Sequence, residues 1–212
     1  MVREIGAALA RPVGSAVLLL GVIAAAPAAA QTFAIDPAAS TATIDVGKAG
    51  LFSFAAGHVH EVRGPVESGA VVLDAQDGSR TRIDLVINAN GLKVSGKDEP
   101  PADVPKVQAA MEGDKVLDVA HFPRITFRST AVKGVPREGA SFDAVVTGTL
   151  TIRDKSQPVT ATVHVQKSPG SLTATGRFAI KQTAFGIQPI SVAGVVKVED
   201  ELRIAFNIVA KQ

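Results

Sequence analysis

The chain has 212 residues, its Lys and Arg (22) nearly balance its Asp and Glu (20) for a net charge of +2, and it contains no cysteine. That length holds one domain of ordinary size, and the balanced charge argues against a polyanionic partner such as nucleic acid. The missing cysteine removes disulfides and thiol chemistry together, so a core of about 180 residues must hold the fold.

Residues 1–30 read as a leader rather than as part of that core. Arg3 and Arg11 precede the apolar run VGSAVLLLGVIAAA, and APAAAQ supplies small residues at Ala28 and Ala30, the pattern a signal peptidase accepts. The run is shorter than the ~20 residues needed to cross a bilayer. The expectation is therefore a cleaved signal peptide over 1–30, a mature domain over 31–212, export from the cytoplasm, and no membrane span after cleavage.

After residue 32 the chain alternates apolar with polar side chains, which is the period of a strand with one dry face and one wet face. Strands are predicted at 40–46, 51–64, 66–74 and 80–88, the last with Ile83, Leu85 and Ile87 on one side and Arg82, Asp84 and Asn88 on the other. Residues 100–120 interrupt the pattern: Val104, Val107, Ala110 and Met111 share a face at helical spacing, predicting one short helix over an opening or flank. Strands resume at 124–133, 141–152, 158–166 and 171–181, and 194–209 reads either as a bent strand or as a hairpin around VEDE. DAQDGSR, KGVPREGA, RDKSQP and QKSPGS between them are turns. One-sided strands joined by short turns are antiparallel. About eight of them in one domain predict an all-β barrel or sandwich, and a barrel leaves no exposed edges.

The inward positions are Phe, Ile, Leu, Val, Ala and Gly. There is no Trp and no Tyr, so all nine aromatic residues are Phe and none can hydrogen-bond. Phe52, Phe54, Phe127, Phe142, Phe178 and Phe206 fall on dry faces. Ala144, Gly148, Ala174 and Gly176 are small inward residues, and long strands carrying them enclose more volume than their side chains fill. Such a hollow would be dry and would select a ligand with a long apolar body.

Four stretches carry a family resemblance. FAIDPAASTATIDV, KVLDVAHFPRITFRST, VTGTLTIRDKSQPVTATV and FAIKQTAFGI follow one another at the right spacing, and together the chain from about residue 33 to 212 resembles the YceI-like family. The resemblance implies an extended, lipocalin-like antiparallel β-barrel of periplasmic or secreted location, without enzymatic activity, that carries a polyisoprenoid or similar long-chain amphiphilic lipid. The chain departs from the family pattern at GKDEPPADVPKVQAAM before the helix, and at Lys181-Gln182, where many members have an arginine before Phe-Gly-Ile. With strand phase, the resemblance places Phe54, Phe127, Leu150, Phe178 and Phe206 against the lipid tail, with His58, His60 or Arg63 at its head group. No cofactor beyond the lipid is expected, and a homodimer of two barrels is compatible with such a chain.

The histidines in GHVHEVRG admit other roles. On an unbroken strand His58 and His60 point the same way, as a zinc or copper site requires, and His121 is the best third ligand on offer. Head-group contact and plain structural hydrogen bonding stay open beside that reading. Catalytic signatures are missing: there is no Gly-x-Ser-x-Gly elbow, no glycine-rich phosphate loop after a strand, and no carboxylate pair placed for acid-base work.

Overall fold

The computed structural model describes residues 30–49, 60–74, 76–97, 100–136, 138–192 and 196–212, and the structural statements that follow concern these. Most of the expected leader, together with Phe52, Phe54 and His58, lies outside them.

Alternation becomes a closed sheet. β1 (Gln31–Ile35), β4 (Ser68–Leu73), β5 (Arg82–Asn88), β7 (Arg124–Lys133), β8 (Ser141–Ile152), β9 (Lys155–Ser168), β10 (Ser171–Lys181) and β12 (Val196–Lys211) pair in that order, and β12 pairs back onto β1. Every pairing is antiparallel, so the result is a ring of eight strands with no free edge along this circuit. β2 (Thr41–Ala49) continues β1 along β12, β3 (His60–Pro65) continues β4, and the short β6 (Lys93–Val94) continues β5. Three staves of the barrel are thus each written as two strands with a break between them. The ring size agrees with the alternation in the sequence, whereas β1 and β6 are too short to show a full alternation of their own.

The breaks are repaired by side chains, as buried backbone groups demand. Between β1 and β2 the buried Ser40 hydroxyl donates to the Val209 carbonyl at 3.1 Å and accepts from the Val209 N–H at 2.9 Å. Register in the β7–β8 ladder shifts between Ser129 and Ala131, and the Ser129 hydroxyl accepts the Ile83 N–H at 2.8 Å. Where β6 has no strand on its outer side, Gln108 of α1 (Val104–Glu112) stands in. Its carboxamide accepts from Val94 N at 2.8 Å and donates to the Leu92 carbonyl at 3.0 Å, the two bonds a neighbouring strand would make.

α1 occupies the expected place. Proline lies in its first turn, where the missing N–H costs nothing, and it lays Val104, Val107 and Met111 against Val62, Leu92 and Val94. The last expected strand is a bent one: pairing of β12 with β2 shifts between Val198 and Leu202, so Glu199, Asp200 and Glu201 form a bulge. A two-residue strand, β11 (Ser191–Val192), folds back on the start of β12.

One end of the barrel is solid. Phe33, Leu73, Leu172, Ile208 and Ala210 interlock there, with Phe33 and Ala210 each only 1% exposed. The opposite end carries α1, the bulge, and the 3-10 turn Gln182–Phe185.

Candidate functional site

Above the solid end the inward side chains do not meet, and a cavity of about 490 Å³ remains, within the range that holds a small organic ligand. Its wall is built by period two. Phe127 on β7, Leu150 on β8, Phe178 on β10 and Phe206 on β12 all line it, as strand phase places them. Ile44, Ile83, Leu85 and Ile87 complete the wall on the broken staves, and Val107 and Met111 of α1 close the side where β6 ends.

The inward glycines do not act as first expected. A Cβ at Gly148 would collide with the Phe127 ring, and one at Gly176 with the Phe206 ring. Each glycine therefore receives a neighbouring ring against the wall, and the space it frees is filled by that ring. The hollow persists because the rings lie along the wall rather than across the bore. Phe178 and Phe206 meet at 6.3 Å between centroids, tilted by 54°, as adjacent panels.

Polar side chains on this lining, among the described residues, are His60, Lys106 and Gln182. They gather at one rim. Lys181 pairs with Glu201, Leu202 with Val46 and Val46 with His60, so His60, the bulge and Gln182 surround the same opening. Lys106 reaches that rim from α1, held by Asp103 at 2.9 Å. Gln182 is 6% exposed and donates through Nε2 to the Glu199 carbonyl at 2.7 Å. Beside it the Asp200 carboxylate accepts from Thr183 N and Oγ1 at 2.9 and 2.8 Å, and the Thr183 N–H first of all holds its carboxyl below the usual carboxylate value.

Of the other expected site residues, His60 lines the lumen, whereas Arg63 is not among its lining residues. Arg63 follows Val62 and so faces outward, 56% exposed, where its guanidinium pairs with Glu61 at 2.9 Å and, before all else, lowers the Glu61 pKa. His121 is likewise absent from the lumen wall. Its side chain is 77% exposed and its Nδ1 lies 2.8 Å from Asp118 Oδ1, so it does not join His60. His58 falls outside the described residues, and no cluster of three or more His, Asp or Glu suited to a metal occurs among those described. His164 turns outward, as its strand phase requires, onto Asp143 at 2.8 Å. Lys106 and Gln182 were missed in the sequence. The signal for Gln182 is present, since it stands where the family pattern changes and continues the inward phase of Phe178 and Ile180.

Residues 33–210 match the YceI-like domain. Among solved structures, Burkholderia cenocepacia BcnA superposes with a TM-score of 0.60 at 23% identity, covering 84% of this chain and 99% of that one. A Campylobacter jejuni YCEI protein that crystallises with large solvent channels gives a TM-score of 0.51 at 15% identity, covering 68% and 80% of the two chains. No curated protein matches. At these identities the structural matches establish a shared barrel. No helix among the described residues is long and apolar enough to cross a membrane.

Proposed function

The chain belongs to the YceI-like domain family, and on that premise we propose that it is an exported carrier that sequesters a polyisoprenoid or similar long-chain amphiphile inside its barrel. The observation that carries this reading is the lumen: about 490 Å³ of space walled almost wholly by aliphatic and phenylalanine side chains, closed below by the Phe33 cluster and polar only at its rim. A chamber of that kind offers a ligand no orientation except tail down and head at the rim. Each buried methylene contributes about 0.8 kcal/mol, so an extended chain offsets the ordering cost without any tail-specific contact. Phe127, Leu150, Phe178 and Phe206 then touch the tail, and His60 lies near the head. The leader-like residues 1–30 support export, with the periplasm as the compartment the family resemblance favours.

Protein purified from its native host and extracted with organic solvent should release a long apolar molecule identifiable by mass spectrometry. A clean extract, together with a purified protein that takes up no apolar fluorophore, would overturn the carrier reading.

A further inference from the structure

The three polar groups at the rim are not equivalent. The Lys106 side chain is 76% exposed and already paired with Asp103. Gln182, by contrast, is 94% buried, and the chamber it lines is otherwise aliphatic and phenylalanine except for His60 and Lys106. Its Nε2 must be the nitrogen end, because it gives its hydrogen to the Glu199 carbonyl at 2.7 Å. That assignment leaves Oε1 with no partner among the described residues. Gln182 is a lining residue of the lumen, so the head of a ligand held there lies beside this carboxamide. A carbonyl oxygen held in apolar surroundings without a donor is a standing cost, and a ligand that supplies the donor removes it.

The charge around that oxygen narrows the donor. Gln182 is strapped to the β12 bulge, whose Glu199, Asp200 and Glu201 place three carboxylates in a row at this rim. Arg203, at 3.6 Å from Glu199 and 3.5 Å from Glu201, and Lys181, whose charge, after the Thr183 N–H, helps to lower the Asp200 pKa, offset two of the three, while Lys106 is paired with Asp103, so one carboxylate stays in excess. A phosphate brought to Gln182 would meet an acceptor oxygen beside those carboxylates, whereas a hydroxyl would donate to the acceptor and bring no charge. We propose that Gln182 Oε1 is the head-group acceptor of the lumen and selects a hydroxyl-terminated isoprenoid or related lipid over its phosphorylated form. This rests on the carrier reading and refines it: tail burial supplies affinity, and Gln182 supplies the choice of head.

The test is displacement of an apolar naphthylamine fluorophore from the full mature chain by three ligands of equal chain length: an isoprenoid alcohol, its monophosphate and the parent hydrocarbon. The wild-type protein should bind the alcohol about five- to tenfold more tightly than the hydrocarbon, the size of one buried hydrogen bond, and more tightly than the monophosphate. In Gln182→Met the alcohol should fall to the level of the hydrocarbon while hydrocarbon affinity stays within about twofold, which also shows the barrel is intact. Equal wild-type affinities for alcohol and hydrocarbon, a parallel loss of both in Gln182→Met, or tightest binding of the monophosphate would each overturn the assignment of Gln182 and leave the carrier reading standing. If none of the three displaces the fluorophore, the carrier reading itself falls. Should Gln182→Met not fold, the wild-type order of the three ligands still decides.

Discussion

The two ends of this barrel are made from the same residue types on the same strands, yet one is solid and the other hollow. At the solid end Phe33 and Leu172 point into the bore and meet Leu73, Ile208 and Ala210 from other staves. Higher up, Phe127 and Phe206 lie against Gly148 and Gly176 and leave the bore open, and α1 replaces the wall where β6 stops. Composition does not separate the two regions. What separates them is where glycines sit relative to phenylalanines, and therefore whether a ring crosses the bore or lines it.

The sharpest way to break the comparison is to remove one ring from each region. Phe33→Ala deletes a side chain with neighbours on every side and should cost about 3–5 kcal/mol, seen as a large fall in denaturant midpoint. Phe178→Ala, taken from a half-buried ring that already borders empty space, should cost under about 2 kcal/mol because little new cavity surface is created. Its larger effect should be on uptake of an apolar fluorophore. Equal destabilisation would mean the upper chamber is as filled as the lower one.

Adding volume reverses the order. Ala210→Phe forces a ring into the interlocked end and should destabilise by about 1–3 kcal/mol through strained packing. Ala161→Phe on β9 sends the same ring into the lumen, and should leave the melting temperature unchanged or raise it while blocking fluorophore uptake. A stable Ala161→Phe protein that still binds would show that ligands do not occupy this bore.

Much of this contrast was legible in the sequence, and the part that was not has a physical cause. Period two in 141–152 and 171–181 puts Leu150, Phe178 and their neighbours on the inner face, because side-chain direction in a strand is a local property. The same rule turns Arg63 outward beside Val62, where its guanidinium pairs with Glu61 and does not line the lumen. The pairing of Phe127 with Gly148 depends on a cross-strand diagonal and on the register shift at Ser129, neither of which has a signal within one strand. Gln182 faces inward in the same phase as Phe178 and Ile180, but it lies just past the end of β10, in a 3-10 turn that ends at Gly186 in the left-handed conformation with φ 72°. Ser40 and Gln108 take their roles from breaks in staves, which appear only once the ring is closed.

A gentler probe acts on the wall that is helix rather than strand. Gln108→Ala removes both bonds that stand in for a strand at β6 and should cost about 1 kcal/mol globally. Locally the effect should be greater, with faster hydrogen exchange at the Val94 amide and faster release of a bound fluorophore. Phe33-region amides should exchange unchanged, since that end does not depend on the helix. Loss of protection at both ends together would mean that the two regions unfold as one.

Acid should distinguish the regions with the smallest effect of all. At the solid end Lys211 Nζ lies 2.6 Å from Asp36 Oδ2 across the β1–β12 seam, and this bond, ahead of the Ala38 N–H, lowers the Asp36 pKa. At the hollow end Glu112 is lowered first by the Gln108 hydrogen bond and then by Lys93, so its carboxylate helps to hold α1 on β6. Both groups are depressed in the folded state, so each contributes stability that is fully present above its ordinary value, 3.8 for Asp36 and 4.5 for Glu112, and is lost as pH falls through its lower native value. Between neutrality and those ordinary values neither contribution changes. Below them, protonating Glu112 should first show as faster ligand release, because α1 closes the chamber, whereas protonating Asp36 should show as a shallow fall in melting temperature. Asp36→Asn should flatten that part of the melting profile without altering release, and Glu112→Gln should do the opposite. Identical profiles for the two variants would mean that the seam and the helix are not independent elements of the barrel.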